Sequence, residues 1–153
     1  MTMSSRLGRS TCPVSRTVDI VGDKWTLMIL RDAFEGATRF SQLQRSLGVA
    51  KNILSNRLHQ LVAADVLAVR PDAGGSAYHE YVLTNRGREL FHLVVALREW
   101  GTDNAFDDDE PRTTFIDDRD GATLPRLRYE TPDGVPIRPE DTRPVRPEGW
   151  VAP

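Results

Sequence analysis

The 153-residue sequence predicts a mainly helical α+β fold: a run of short helices, a two-stranded hairpin and a long closing helix. Three observations predict it. Apolar residues recur at helical spacing between residues 13 and 63. Two short runs carrying Val66, Val69, Tyr81 and Val82 flank a glycine-containing stretch. A second apolar-periodic run follows Thr84, a residue type suited to opening a helix.

Element by element, Pro13 sits well in a first helical turn, and Val14, Val18 and Val21 then share a face until Gly22. Asp23 can cap the next helix, in which Trp25, Leu27, Met28, Ile29, Leu30, Ala33 and Phe34 leave little polar surface, so this helix is expected to be the buried centre. A short helix opens at Ser41 or Thr38, carries Leu43 and Leu47 four apart, and ends at Gly48. After Val49 a fourth helix, about residues 50–63, has Leu54, Leu58, Leu61 and Val62 as its apolar stripe, with Lys51, Asn52, Ser55, Asn56 and His59 projecting elsewhere. Residues 66–69 and 78–83 read as strands joined by a turn at 71–77. From Thr84 one helix is expected to run to about Phe106, with Leu90, Phe91, Val94, Leu97 and Trp100 along it. That is more apolar surface than a terminal helix of a small domain needs, so it is expected to pack on a second copy as a dimerisation helix. This order is that of a winged helix-turn-helix.

Composition divides the chain near Asp107. Eight of the ten prolines lie beyond it, and residues 1–106 carry 13 basic and 10 acidic side chains, net +3, against 7 and 12, net −5, for 107–153. Two parts are therefore expected: residues 10–106, and an acidic, proline-rich extension at 107–153. Within the extension, Leu127 and Tyr129, the turn formers Thr131-Pro132-Asp133-Gly134, and Val135 and Ile137 predict a small C-terminal β-hairpin. Trp150 either anchors this tail or stays exposed. Asp107-Asp108-Asp109-Glu110 reads as a solvated linker rather than a cation site.

Composition also narrows the function. The longest aliphatic run, Leu27 to Leu30, is far below the roughly 18–20 apolar residues that cross a bilayer. Arg6 and Arg9 have no apolar stretch behind them that would serve as a signal-peptide core, so a cytoplasmic protein without a membrane partner is expected. One cysteine, Cys12, and the scattered His59, His79 and His92 supply no metal set, and no cofactor is expected. Nucleophile elbow, glycine-rich phosphate loop and paired carboxylates are all missing from the sequence, which leaves an enzyme without parts.

Several separated motifs resemble a known family. Cys12-Pro13, Gly22-Asp23-Lys24-Trp25-Thr26-Leu27, Ile29-Leu30-Arg31, Arg39-Phe40-Ser41-Gln42-Leu43, Leu54-Ser55-Asn56-Arg57-Leu58, and Tyr81-Val82-Leu83-Thr84 with Gly87 look like the HxlR-type transcriptional regulators, a branch related to the MarR regulators. The resemblance covers roughly residues 10–105 and implies a homodimeric regulator, expected to repress, that binds a pseudo-palindromic double-stranded DNA operator. The segment 39–70 has Arg39, Arg45, Lys51, Arg57 and Arg70 against Asp65 alone, the local basic excess a phosphate backbone requires.

In that setting Lys51, Asn52, Ser55, Asn56 and His59 are candidates for the major groove, since small polar side chains on a helix reach base edges. Ser41, Gln42 and Gln44 stand where a helix start meets phosphate, and Arg39, Arg45, Arg57 and Arg70 are further phosphate candidates, giving about four to six contacts per subunit. Arg57 borders the apolar stripe and pairs equally well with an acid of its own subunit. Where relatives offer an arginine on the hairpin's second strand, this chain has Ala77-Tyr78-His79. Two inputs are candidates. Cys12, beside a helix start that lowers a thiol pKa, is read as either an oxidant or electrophile sensor or a packed small hydrophobe. Trp25, Phe91 and Trp100 are candidates to line a small-molecule pocket, or are simply core. A winged helix used only for protein contacts is the remaining alternative.

Overall fold

A computed structural model describes residues 10–75, 77–148 and 150. The chain forms two compact units, Met1–Val94 and Val95–Pro153, and each is described by itself.

The first unit holds α1 (Pro13–Val21), α2 (Lys24–Phe34), α3 (Phe40–Leu47), α4 (Lys51–Ala63), β1 (Leu67–Pro71), β2 (His79–Leu83), α5 (Asn85–Arg88) and the first turn of α6 (Phe91–Asn104). Asp23 caps α2 as expected: its Oδ1 accepts from the backbone N–H groups of Trp25 at 2.9 Å and Thr26 at 3.3 Å. Ile29 and Leu30 of α2 are fully buried, with Leu43, Leu54, Leu58, Leu61, Val66 and Leu67 completing the core around them. Arg31 bonds the buried Asp32 beside it at 2.5 Å and reaches Ser46 at 3.3 Å, which ties α2 to α3. By contrast α1 buries only Val21; Val14 and Val18 are 69% and 50% exposed.

The strands pair antiparallel, Leu67 opposite Leu83 and Pro71 opposite His79. β1 therefore extends to Pro71, beyond the expected 66–69, because a proline is tolerated at the end of an edge strand where no ladder N–H is required. Thr84 then ties hairpin to helix. Its hydroxyl donates to the Asp65 carbonyl at 2.6 Å and accepts from the Gly87 N–H at 2.9 Å. Gly87 is pressed so closely onto the Val66 carbonyl that a Cβ would lie 2.1 Å from it.

The single helix expected from Thr84 is in fact two, broken at Glu89 and Leu90. The Leu90 N–H donates to Gly87, three residues back, at 3.1 Å, and regular α-spacing resumes with Val94 to Leu90 at 3.1 Å. Gly87 is held by its neighbours and is a weak helix former, so the chain tightens there by one 3₁₀ step.

In the second unit, Val95 is buried on the remainder of α6, whereas Leu97 and Trp100 are 48% and 67% exposed. Arg98 stacks over Phe115 at 3.7 Å and donates to the Thr113 hydroxyl at 2.7 Å. Arg126 pairs with Asp103, its Nη2 at 2.6 Å, and the Leu127 N–H donates to Glu99 at 2.9 Å. The segment 107–110 is exposed, and two of its carbonyls, Asp107 and Asp108, accept from Arg112.

The expected tail hairpin exists as a turn: Ile137 N–H to Tyr129 carbonyl at 2.7 Å and Thr131 N–H to Val135 carbonyl at 2.8 Å flank one bridge, Glu130 to Pro136. Pro132 and Pro136 lack donors, so no longer ladder forms. A second turn, bridged at Ile116 and Thr123, was not anticipated. Arg146 stacks 3.8 Å from the half-buried Trp150.

Candidate nucleic-acid interface

The turn between α3 and α4 sets the geometry of the interface. Gly48 adopts φ 61°, the left-handed conformation that suits glycine, and its N–H closes onto the Gln44 carbonyl at 2.9 Å. Val49 is buried, which redirects the chain into α4. Leu54, Leu58 and Leu61 then anchor one face of α4 in the core while Lys51, Asn52, Ser55, Asn56 and His59 are all exposed on the rest of it. Ala50 at the N-cap supplies no side-chain bond, so the first amides of α4 retain unsatisfied donors next to Lys51. An uncapped helix start beside a cation attracts anions.

Three of the candidate residues make ties within the chain. Arg57 does not reach outward freely: its Nε lies 3.1 Å from Asp23 and its Nη1 2.9 Å from Gln60, which resolves its two readings toward pairing within its own chain and braces α4 against the start of α2. Arg39 is the N-cap of α3, in place of the expected Ser41 or Thr38, and its guanidinium bonds Asp72 at 2.5 Å, with Glu80 at 4.0 Å. Asp72 has a side chain only 2% exposed, so this is a clasp between α3 and the hairpin. Gln42 closes the start of α3, its Oε1 accepting from the N–H groups of Thr38 at 3.0 Å and Arg39 at 2.9 Å.

Among the described residues the other candidates show no comparable side-chain tie. Ser41, Arg45 and Arg70 are exposed and Gln44 is half-buried. Among the described residues no carboxylate ion pair engages Arg45, Lys51 or Arg70. The hairpin supplies a further feature. Tyr78, 74% exposed, and His79 line an open groove of about 540 Å³ together with Arg39, Phe40, Ser41 and Tyr81. An aromatic residue next to the hairpin turn, just before a histidine, was the available signal.

Cys12 is exposed at the N-cap of α1. Hydrogen bonds from the Ser15 backbone and hydroxyl, then from the Val14 backbone, favour its thiolate and hold the thiol below its ordinary pKa. Trp25 packs half-buried on the core with Lys24 4.7 Å over its ring, Phe91 meets Phe34 edge-on at 5.4 Å, and Trp100 belongs to the second unit. Among the described residues no three of His, Cys, Asp and Glu cluster to hold a metal ion, and no helix is long and apolar enough to cross a membrane.

A two-stranded wing behind a helix-turn-helix pair, with the second helix polar on its outer face, defines the winged helix-turn-helix class. Within that class the chain belongs to the HxlR-like helix-turn-helix family, whose model matches residues 20–109. A transcriptional regulator of helix-turn-helix type from Mycobacterium bovis, itself uncharacterized, is 46% identical over 88 residues, 58% of this chain and 56% of that protein, so the chain spans about half the length of this relative. The crystal structure of PA1607, proposed to be a transcription factor, is 46% identical with a TM-score of 0.86, covering 92% of this chain and 98% of that one. The redox regulator HypR in its oxidized form is 30% identical with a TM-score of 0.56, over 61% of this chain and 97% of that one. These relatives are named as regulators and not as enzymes.

Proposed function

We propose that the chain is a homodimeric, sequence-specific DNA-binding transcriptional repressor. The observation that carries this reading is α4: three leucines fix one face in the core, and an uncapped start with Lys51, Asn52, Ser55, Asn56 and His59 is left exposed. α4 enters the major groove, where Asn52 and Asn56 can pair bidentately with adenine and Lys51 with guanine or phosphate. Arg45, Lys51 and Arg70 neutralise phosphates, about three per subunit instead of four to six, because Arg39 and Arg57 are engaged within the chain. The exposed Leu97 and Trp100 of α6, and Val14 and Val18 of α1, pack on a second copy, and the dimer reads two half-sites about one helical turn apart.

The exposed, acidified thiol of Cys12 supports an oxidant or electrophile input that releases DNA, and a relative described as a redox regulator supports it further. A mobility shift with fragments from around the protein's own coding region, at two salt concentrations, with and without diamide, tests both parts. Specific binding that weakens with salt at a log–log slope near −3 per subunit is expected. Loss on oxidation that Cys12→Ser abolishes supports the thiol input. Absence of specific binding at low salt refutes the repressor and favours a protein-contact module.

A further inference from the structure

We infer that the extension supplies a second part of the dimer interface: the apolar face of the turn at 127–137 packs on a second copy of this chain. The inference rests on the homodimer reading and concerns residues beyond the family's matched range of 20–109. The bridge between Glu130 and Pro136 sets the register of this turn, with the Ile137 N–H donating to the Tyr129 carbonyl and the Thr131 N–H to that of Val135. Side chains alternate between faces along paired extended segments. Leu127, Tyr129, Thr131, Val135 and Ile137 therefore share one face, and Arg128, Glu130 and Arg138 take the other. Tyr129 and Val135 are 81% and 58% exposed, and Leu127 and Ile137 are exposed as well. An apolar sheet face ordinarily lies on a core, and this one is open to solvent.

Continuity, area and charge favour a second copy as the occupant. The extension is tied along one side of α6: Arg98 donates to Thr113 at 2.7 Å, Arg112 to the Thr102 carbonyl at 3.0 Å, Arg126 to Asp103 at 2.6 Å and the Leu127 N–H to Glu99 at 2.9 Å. Leu97 and Trp100 of the same helix stay exposed, and they are the side chains given to a second copy above. The apolar turn thus starts at Leu127, anchored one helix position from Trp100. Val14, Val18, Leu97 and Trp100 together offer about 450 Å² per copy, roughly half of the ~800 Å² that each partner of a stable complex covers. The four apolar side chains of the turn add about 400 Å² and close that gap. Residues 127–138 carry Arg128 and Arg138 against Glu130 and Asp133, net zero within an extension of net −5. Among the described residues no ion pair engages any of these four side chains. A two-fold axis sets a segment against a copy of itself, and a segment with both charge signs in balance meets no net repulsion there.

The test follows self-association of the full chain by sedimentation equilibrium. A dimer is expected, and Tyr129→Ser combined with Val135→Ser should raise its dissociation constant at least tenfold. Arg128→Gln, on the opposite face, should change it less than threefold, with all three proteins melting alike. Labelling gives a second readout. In a Cys12→Ser chain, Tyr129→Cys should react with a maleimide at least fivefold more slowly where the chain is dimeric than where dilution makes it monomeric, and Arg128→Cys at equal rates in both. A chain that stays monomeric at every concentration refutes the homodimer reading and this interface with it. A dimer whose dissociation constant is unchanged in the double variant, or whose labelling at position 129 is independent of concentration, overturns the interface and leaves the homodimer standing.

Discussion

Replacing Arg39 by alanine separates two roles for a cation on the DNA-facing side, because the guanidinium is committed to Asp72 at 2.5 Å. The two partners differ in exposure, with side chains 45% exposed for Arg39 and 2% for Asp72. Losing a partner of a fully buried pair costs about 3–5 kcal/mol. The half-exposed arginine lets water in, so the cost of Arg39→Ala falls toward the range of a charged hydrogen bond, about 1–3 kcal/mol. Asp72→Ala removes the buried carboxylate itself and leaves the half-exposed arginine to solvent, so it should leave less uncompensated charge behind. The double variant should be no less stable than Arg39→Ala, since it leaves no buried charge behind. Urea unfolding of the four proteins measures this cycle.

Either single change loosens the wing against α3, and DNA affinity should drop roughly 5- to 30-fold if about 1–2 kcal/mol of positioning is lost. The slope of affinity against salt should stay the same, since no phosphate contact disappears. Fluorescence anisotropy over a salt series reads both. Should Arg39→Ala lower the slope by about 0.9 while Asp72→Ala leaves affinity intact, Arg39 contacts phosphate and the clasp reasoning fails.

Other regions give independent checks. Gly87→Ala places a methyl 2.1 Å from the Val66 carbonyl and should cost about 1–3 kcal/mol by thermal unfolding; an unchanged melting temperature would mean the α5 turn is not held as described. Iodoacetamide should alkylate Cys12 with a pH midpoint below that of an ordinary thiol, and Ser15→Ala should move that midpoint part of the way up, because it removes the hydroxyl hydrogen bond to the thiolate and keeps the larger one from the Ser15 backbone. Asp103 is held below its ordinary pKa first by its hydrogen bond to Arg126. A depressed carboxyl stabilises the fold above its unfolded pKa and loses that contribution as pH falls through the folded value. Carboxyl NMR titration should show Asp103 moving back up in Arg126→Gln, and an unmoved titration would remove the pair from the account.

The helix starts at Asp23 and Thr84 and the stop at Gly48 were legible because capping is local: donor and acceptor stand within a few residues of one another. The polar face of α4 was legible for the same reason, since Leu54, Leu58 and Leu61 set its phase. The break at Glu89 was not legible, because the carbonyl that constrains Gly87 belongs to Val66, on the far side of the hairpin. In the tail, the Asp120-Gly121 turn signal was present but stood among charges without the apolar alternation that marks a hairpin.

Cations exposed the largest gap. The five basic residues at 39–70 look equivalent in the sequence, yet Arg39 is bonded 33 residues away and Arg57 pairs with an acid 34 residues earlier. A long charged side chain takes its role from whichever acid the fold brings near, so a local excess of charge bounds the number of phosphate contacts from above. The bound tightens only when partners such as Asp23 and Asp72 are known. That is why the salt dependence proposed for DNA binding falls to about three contacts per subunit, while the exposed polar face of α4, set by its leucines, is unaffected.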